Sequence, residues 1–513
     1  MRLNSIQPAI LFSLTTLASG NLTTTATANT LSPLNGEISH QAADLQQYPL
    51  EIAETNPSIS PNFANQNPIF SQNLTGKTIK QIQIQFVNSE GETIDENNKV
   101  IEGKTRKDFI EAELKVKVGQ TFNPELIEQD IWRLRRLDIF SKVYVSYAED
   151  SAGVTIIYNL EERQYGNFSF GGGNSGDIGL YGRIGYRHTN LNGLNDQLRL
   201  NTQISAKDFQ YRAGFISPYR RFQPNRFGYT AQIFRNRNFS DTFNDDIDLP
   251  NGDDMREGRF GVSVGLLHDI GDWNSQLALN YTRISIRDQD WRVQNIDKFG
   301  NPISLSNTGI DDLFTVSFGI ALDQRNRPSN AFQGSLLSFS TEQSIPVGLG
   351  EVFMNRLRAN YIQYLPLNWL GAGKIDVEKD PELAEVLAFN VQAGTIIGDV
   401  IPAETFNLGG LNSVRGYAGS ELASGRSFLL GSMEYRFPII RPVAGVVFAD
   451  FGTDFNTGDS ILGEPGPVRN KPGTGFGYGI GVRVKSPIGL IRGDLGINDQ
   501  GDIRFEITTG HRF

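Results

Sequence analysis

The chain has 513 residues, a formal net charge of −10, no cysteine and only four histidines. Disulfides, thiolate nucleophiles and thiolate metal sites are therefore excluded, and the acidic balance argues against nucleic acid as a partner. Fifty-four glycines beside 10% aromatic residues suit a β protein with many turns.

In chain order, residues 1–28 read as an export signal. Arg2 supplies a thin positive start, Pro8–Ala18 an apolar run and Ala26–Ala28 a small-residue cleavage site. Residues 29–75, rich in Asn, Gln, Ser, Thr and Pro, read as a disordered linker too poor in apolar side chains to offset the entropy of ordering. Thr75–Thr78 fails as a phosphate-binding loop, because the glycine required five residues before Gly76 is Ser71.

Residues 76–163 change character. Ile79–Val87 alternates Ile82, Ile84 and Phe86 against glutamines, the pattern of a half-buried strand. Within Thr105–Leu114, Phe109, Ile110 and Leu114 share one helical stripe. Asn123 as N-cap and Pro124 at the first position open a second helix, whose apolar face is Leu126, Ile127, Ile131, Leu134 and Leu137. Two strands joined by a turn at Asp150–Gly153 follow. The order strand, helix, helix, strand, strand predicts a small sheet covered on one face, with open edges that can capture another extended chain.

From Tyr165 to Phe513 the pattern is repeated alternating strands. Gln197, Arg199, Asn201 and Gln203 fall on one face and Leu198, Leu200, Thr202 and Ile204 on the other. Arg504–Phe513 sets Phe505, Ile507, Thr509, His511 and Phe513 against Arg504, Glu506, Thr508 and Arg512. One such strand fits a soluble sheet. Repeated with no helical segment to pack against, the pattern is that of a transmembrane barrel with lipid outside and a polar lumen. No run after the signal approaches the roughly 18–20 apolar residues of a membrane helix.

Sixteen strands are predicted, from near 165–173 to near 502–512, an even number as bacterial barrels require. Connections alternate between long and short, with 367–383 long on the short-turn side. The first strand carries Phe168 and Phe170 and ends in three glycines, so its pairing with the sixteenth, which carries Phe505 and Ile507, is expected to be weak. Such a seam would open sideways or accept a client strand. The aspartate-rich Asp241–Asp254 misses the calcium-loop spacing and reads as a solvated outer loop.

The glycine-rich stretch LGGLNSVRGYAG, Leu408–Gly419, carries a single arginine, Arg415, in the connection between strands eleven and twelve. If Val443, Val447, Ala449 and Phe451 face lipid, Phe448 and Asp450 point inward. Glycines at 473, 475, 477, 479 and 481 leave one face of the fourteenth strand bare, room for a loop beside Asp450. Glu434, Arg436, Arg483, Arg492 and Asp494 also point inward, a charged lumen that needs mutual pairing.

LGGLNSVRGY together with Met433–Pro438, Phe448–Gly452, Gly479–Gly496 and a terminal phenylalanine, Phe513, resembles the BamA/TamA superfamily. Its members are outer-membrane barrels with periplasmic POTRA domains that insert or translocate other proteins, and the order of elements in 76–163 is similar to one POTRA domain. In that family the sixth outer loop folds back into the barrel, where its motif arginine meets the aspartate of a Phe-x-Asp motif on the wall. The matching positions are Val414, Arg415, Gly416 and Tyr417 in the loop, and Phe448 and Asp450 on the wall. The resemblance implies a mainly β protein: a βααββ POTRA domain at 76–163 ahead of a 16-stranded antiparallel outer-membrane barrel at 165–513. It implies unfolded outer-membrane or secreted proteins as clients and outer-membrane lipid as surroundings, with no catalytic residue, cofactor or metal. Charge reversal at both Arg415 and Asp450 is expected to restore what either reversal destroys.

The single POTRA domain departs from the family pattern, usually five in BamA-like members and three in TamA-like or chloroplast-envelope members. Accessory periplasmic partners are therefore not carried over. A two-partner-type secretion transporter is the alternative, though such proteins usually carry two POTRA domains and a plug helix. A passive pore would leave 76–163 and the loop tether without a purpose.

Overall fold

The computed structural model describes residues 74–513 except 75, 138, 176–178, 221–225, 244–246, 327–329, 371–382, 456–470, 487–488 and 511. The export signal at 1–28 and nearly all of the linker at 29–75 lie outside the described residues.

The N-terminal domain consists of β1 (Ile79–Phe86), α1 (Lys107–Glu113), α2 (Pro124–Arg136), β2 (Phe140–Asp150) and β3 (Gly153–Glu162). The sheet order is β1-β3-β2, with β1 parallel and β2 antiparallel to the central β3. Asn123 caps α2 by accepting from the Glu125 and Leu126 amides at 2.9 and 3.4 Å. The core joins Ile79, Ile84 and Phe86 of β1 to Phe109 and Ile110 of α1, Ile127 and Leu134 of α2, and Val154, Ile156 and Leu160 of β3. Leu74 already packs in this core. One buried charge organises it. The Asp130 carboxylate accepts from the Lys115 and Val116 amides at 2.7 and 3.0 Å and from the Tyr158 hydroxyl at 3.1 Å. Burial, then the Asp130 charge, holds the Tyr158 phenol well above its usual range.

The second sheet has sixteen antiparallel strands. Its first half is β4 (Gly166–Ser175), β5 (Gly179–His188), β6 (Gln197–Ser205), β7 (Phe209–Ser217), β8 (Gly228–Phe239), β9 (Arg256–Ile270), β10 (Trp273–Arg287) and β11 (Ile310–Asp323). It continues through β12 (Gly334–Ile345), β13 (Met354–Pro366) and β14 (Val386–Gly398). A short hairpin, β15 (Phe406–Leu408) with β16 (Ala423–Gly425), interrupts the series before β17 (Ser427–Ile440), β18 (Val443–Phe455), β19 (Thr474–Ser486), β20 (Gly489–Asn498) and β21 (Ile503–Thr509). All sixteen expected strands are present, with ends displaced by a few residues. Side chains alternate between an exposed apolar belt (Ile184, Ile204, Val264, Leu279, Ile480) and buried polar groups inside (Gln203, Ser263, Asn280, Glu434, Arg483). This is the barrel arrangement, apolar out and polar in.

The last strand is shorter than expected. Its ladder with β20 ends at Thr509, and Gly510 comes next at φ +82°. Phe513 does not continue on the outward face with Phe505 and Ile507. It turns inward, partly buried, with its ring 6.5 Å from that of Tyr364 and its carbonyl accepting from Arg436 at 3.2 Å. Alternation fails here because a left-handed glycine ends the strand and buried polar partners capture the terminal residues beyond it.

The Asp241–Asp254 connection also differs from expectation. Phe243, Ile247, Leu249 and Met255 are buried in an apolar cluster with Ile401, Phe406, Val414 and Leu422. Among the described residues Asp248 and Asp253 are half-buried while Pro250, Asn251, Gly252 and Asp254 are exposed, so the connection packs its apolar side chains inward and keeps a solvated turn. The long connection at 367–383 is described only at its ends, which close on Glu385. Its carboxylate accepts from the Trp369 and Leu370 amides at 2.9 and 3.1 Å and from the Tyr435 hydroxyl at 2.7 Å.

The N-terminal domain docks on the short-turn side of the barrel. Thr105 Oγ1 lies 3.0 Å from the Tyr165 hydroxyl and accepts from Asn190 at 2.9 Å, while the Arg106 amide donates to the Gly193 carbonyl at 3.0 Å. A Cβ on Gly193 would stand 2.3 Å from the Lys104 carbonyl oxygen, so this approach requires glycine.

Candidate functional site

Loop 399–426 leaves β14, forms the β15–β16 hairpin and turns back into the barrel. Gly409, Gly410 and Gly416 have φ of +119°, +89° and +98°, the left-handed conformations that let the chain double back. At its tip Val414 and Tyr417 are completely buried and Arg415 is 1% exposed.

The wall beneath the tip is built by register. Across β17, β18, β19 and β20, one row reads Ser432, Asp450, Gly477, Asn498, and the next reads Glu434, Phe448, Gly479, Gly496. The glycines are where the loop lies. A Cβ on Gly477 would fall 1.9 Å from the Arg415 carbonyl oxygen, on Gly496 2.6 Å from the Gly416 nitrogen, and on Gly475 2.5 Å from the Tyr417 hydroxyl. At Gly477 and Gly496 the opposing atoms are backbone, which leaves no room for a side chain, so the loop rests on bare strand there.

Arg415 is fastened from several directions. Its backbone amide and Nε donate to Asp450 Oδ2 at 3.2 and 2.7 Å, and its Nη2 donates to Oδ1 at 3.0 Å. Nη1 reaches Glu434 at 2.7 Å and Asp494 at 3.2 Å. The guanidinium carbon lies 3.4 Å from the centroid of the Phe448 ring, so the inward phenylalanine is a cation–π floor as well as a neighbour. Nearby, Tyr417 donates to Asp499.

The other lumen charges join the same network. Arg436 donates to Glu434 at 2.9 Å, Arg483 to Asp494 at 2.5 Å, and Arg492 to the side-chain oxygen of Asn412 in the loop at 3.0 Å. Sequence reasoning gave Arg512 no role, yet it donates to Asp450 at 2.5 Å and to the Ser413 carbonyl. Its inward parity in the strand pattern was the available signal. Among the described residues, five arginines thus surround three carboxylates, all buried.

The expected contact between Arg415 and Asp450 is present, within a wider set of partners that changes what a charge reversal does. Asp450→Arg would place its new cation beside Arg512, and Arg415→Asp would face Glu434 and Asp494. A double reversal therefore sets three like-charge contacts, with Arg512, Glu434 and Asp494, against the one attractive contact it restores.

The seam residues lie apart from this cluster. Phe168 and Phe170 on β4 are 64% and 77% exposed, and Phe505 and Ile507 on β21 are 62% and 67% exposed. The strand order runs unbroken from β21 to β4, and among the described residues no register joins those two end strands. Phe513 belongs with the lumen instead, near Arg436 and Tyr364.

Comparison with known proteins covers both parts of the chain. An Omp85 superfamily domain model matches residues 190–513, and a POTRA model, described as a surface antigen variable number repeat, matches 97–163. The chloroplast outer envelope protein 80 of Arabidopsis thaliana is 30% identical over 420 residues, 80% of this chain and 54% of its own length. The chloroplast protein TOC75 of Pisum sativum is 26% identical over 441 residues, 79% of this chain and 53% of its own. The chain thus spans about half the length of these curated relatives. Among solved structures, BamA from Haemophilus ducreyi lacking POTRA domains 1–3 superposes with a TM-score of 0.55 at 18% identity, covering 84% of each chain, a likeness of fold.

Proposed function

The chain belongs to the Omp85 superfamily, and on that premise we propose that it inserts polypeptides into, or passes them across, the membrane its barrel spans. The barrel sits in an outer membrane with the POTRA domain on the periplasmic side. Clients are unfolded outer-membrane or secreted chains, handled through their backbones. That task needs donors and acceptors at sheet edges rather than a nucleophile or an acid–base pair.

The observation that carries this reading is the pair of end strands. A sheet edge presents unpaired amides and carbonyls, and in lipid such groups are costly unless another strand satisfies them. β4 and β21 are the two ends of the sixteen-strand ladder, and β21 has only seven residues. A client strand can add to either. The POTRA sheet has its own edges, β1 and β2, which fit capture of an extended chain before delivery. The tip of loop 399–426 acts here as a tether: Val414, Arg415, Gly416 and Tyr417 hold it against Phe448 and Asp450, and Glu434, Arg436, Arg483, Arg492 and Asp494 brace that contact.

The test is a seam lock. Cysteine pairs introduced between Asn167–Gly171 and Arg504–Thr508, in a chain with no native cysteine, are oxidised in lipid vesicles and presented with an unfolded barrel client. Oxidation is expected to abolish client insertion and reduction to restore it. Full insertion through a locked seam would sink the reading. Depletion in cells then separates the alternatives: broad loss of barrels indicates general assembly, and loss of one secreted protein indicates a dedicated transporter.

A further inference from the structure

We propose that loop 399–426 has a second anchor, Glu404, on a different arc of the barrel wall from the Arg415 site, and that the loop blocks the barrel as a strut held at both ends. The proposal builds on the Arg415 tether but does not depend on client handling.

Glu404 ends a short 3-10 turn, Pro402–Glu404, on the limb that rises from β14. Its carboxylate is gripped by two arginines from different strands. Arg259 on β9 binds one oxygen, and Arg356 on β13 binds the other at 2.6 Å. The same guanidinium groups bond the backbone of the turn, Arg259 to the Ala403 carbonyl at 2.5 Å and Arg356 to the Glu404 carbonyl at 3.1 Å. Each arginine also has a wall carboxylate, Glu257 at 2.8 Å and Glu342 at 3.0 Å. Both side chains are at most 5% exposed. Thr242 of the neighbouring loop adds a bond from its hydroxyl to the Pro402 carbonyl at 2.7 Å.

The positions around the sheet give this its meaning. Arg259 lies on the sixth barrel strand and Arg356 on the tenth, whereas Arg415 is held by the twelfth, thirteenth and fifteenth. The two sets do not overlap: strands six and ten hold one end of the loop, and strands twelve, thirteen and fifteen hold the other. The loop is therefore fastened to two separate arcs of the wall through buried ion pairs, which act in low dielectric and resist screening. Releasing either end leaves the loop hinged at the other and free to swing out of the lumen. Both arginines at the Glu404 end keep a second carboxylate, so loss of the Glu404 side chain removes the charged part of the loop's anchor without stripping the wall of counter-charges.

The purified full chain in planar lipid bilayers, without client, reads this directly. Glu404→Ala is expected to open the pore at least several-fold in conductance, while Asp323→Asn, a wall carboxylate paired with Arg325 apart from the loop anchors, stays near the parent. Parent-like conductance in a Glu404→Ala barrel that still shows the heat-dependent gel shift of a folded barrel would overturn the proposal. Should that variant not fold, Thr242→Cys with Thr405→Cys replaces it, since the two hydroxyls stand 3.0 Å apart. Combined with Glu404→Gln, which keeps the side-chain volume and removes its charge, the oxidised pair is expected to hold conductance at the parental level and the reduced pair to let it rise. Equal conductance in both states would also overturn the proposal. Neither measurement involves insertion, so a failure here is distinct from a failure of the seam lock.

Discussion

Two glycine-rich strands of this barrel share a composition and differ in what the glycines do. In β19 the glycines at 475, 477 and 479 face other atoms: the loop tip lies against the first two, and Phe448 and the Leu495 carbonyl against the third. In β4, a Cβ on Gly171 would meet nothing within 4 Å, and one on Gly172 would meet only the neighbouring Tyr181–Gly182 backbone. Glycine in β19 is a steric requirement for a locked contact. At Gly171 no neighbour requires it, and its remaining effect is entropic, a weakened strand at the end of the sheet. One region is over-determined by buried ion pairs, the other under-determined by missing side chains. The molecule separates a rigid wall from a loose edge on these terms.

The largest effect is expected where the rigid wall loses its centre. Arg415→Ala leaves Glu434, Asp450 and Asp494 buried with one cation fewer, a cost of about 3–5 kcal/mol for breaking a buried charge cluster. The urea midpoint of the folded barrel in vesicles should fall accordingly. Arg415→Lys should recover only part of it, because an ammonium cannot bond three carboxylates and lie flat on Phe448. The double charge reversal should be no better than either single one. Recovery by the double reversal would mean that Arg512, Glu434 and Asp494 contribute little to the site.

Next in size is a wedge that leaves every charge in place. Gly477→Val inserts atoms where the Arg415 carbonyl lies, and overpacking of this kind costs about 1–3 kcal/mol. The expected result is a lower urea midpoint together with faster proteolysis in loop 399–426. Gly431→Val on β17, where a Cβ meets nothing within 4 Å, should change neither. Equal behaviour of the two variants would remove the distinction between steric and incidental glycine.

The two regions were legible in the sequence to different degrees. The sixteen strands were readable because a half-buried strand writes its burial as alternation, and that alternation also turned Phe448, Asp450 and Glu434 inward. The partner of Arg415 was suggested by the resemblance of its motif. Its multiplicity was not, because alternation assigns a face but not which rows one guanidinium spans. The Glu404 anchor left no local mark: Arg259 and Arg356 lie 145 and 48 residues away, and only closure of the sheet brings them together. Asp130 in the POTRA domain escaped notice for the opposite reason. It sits between helix positions that look solvated, and its partners are backbone amides of another segment.

The smallest expected effect tests the loose edge. Gly171→Thr places a β-branched residue on an inward position opposite Arg183, with no atom in its way. Replacing a strand glycine should stabilise β4 by about 0.5–1 kcal/mol, from reduced chain entropy and better strand propensity. If looseness of this edge serves client exchange, that gain in pairing should slow client insertion by about two- to five-fold, the factor that such an energy difference implies. The urea midpoint should stay level or rise slightly. A rise in stability with no change in insertion rate would show that β4 does not have to yield during the cycle. The exchange edge would then be β21, whose ladder stops at Thr509 and whose terminal residues are already drawn into the lumen by Asp450 and Arg436.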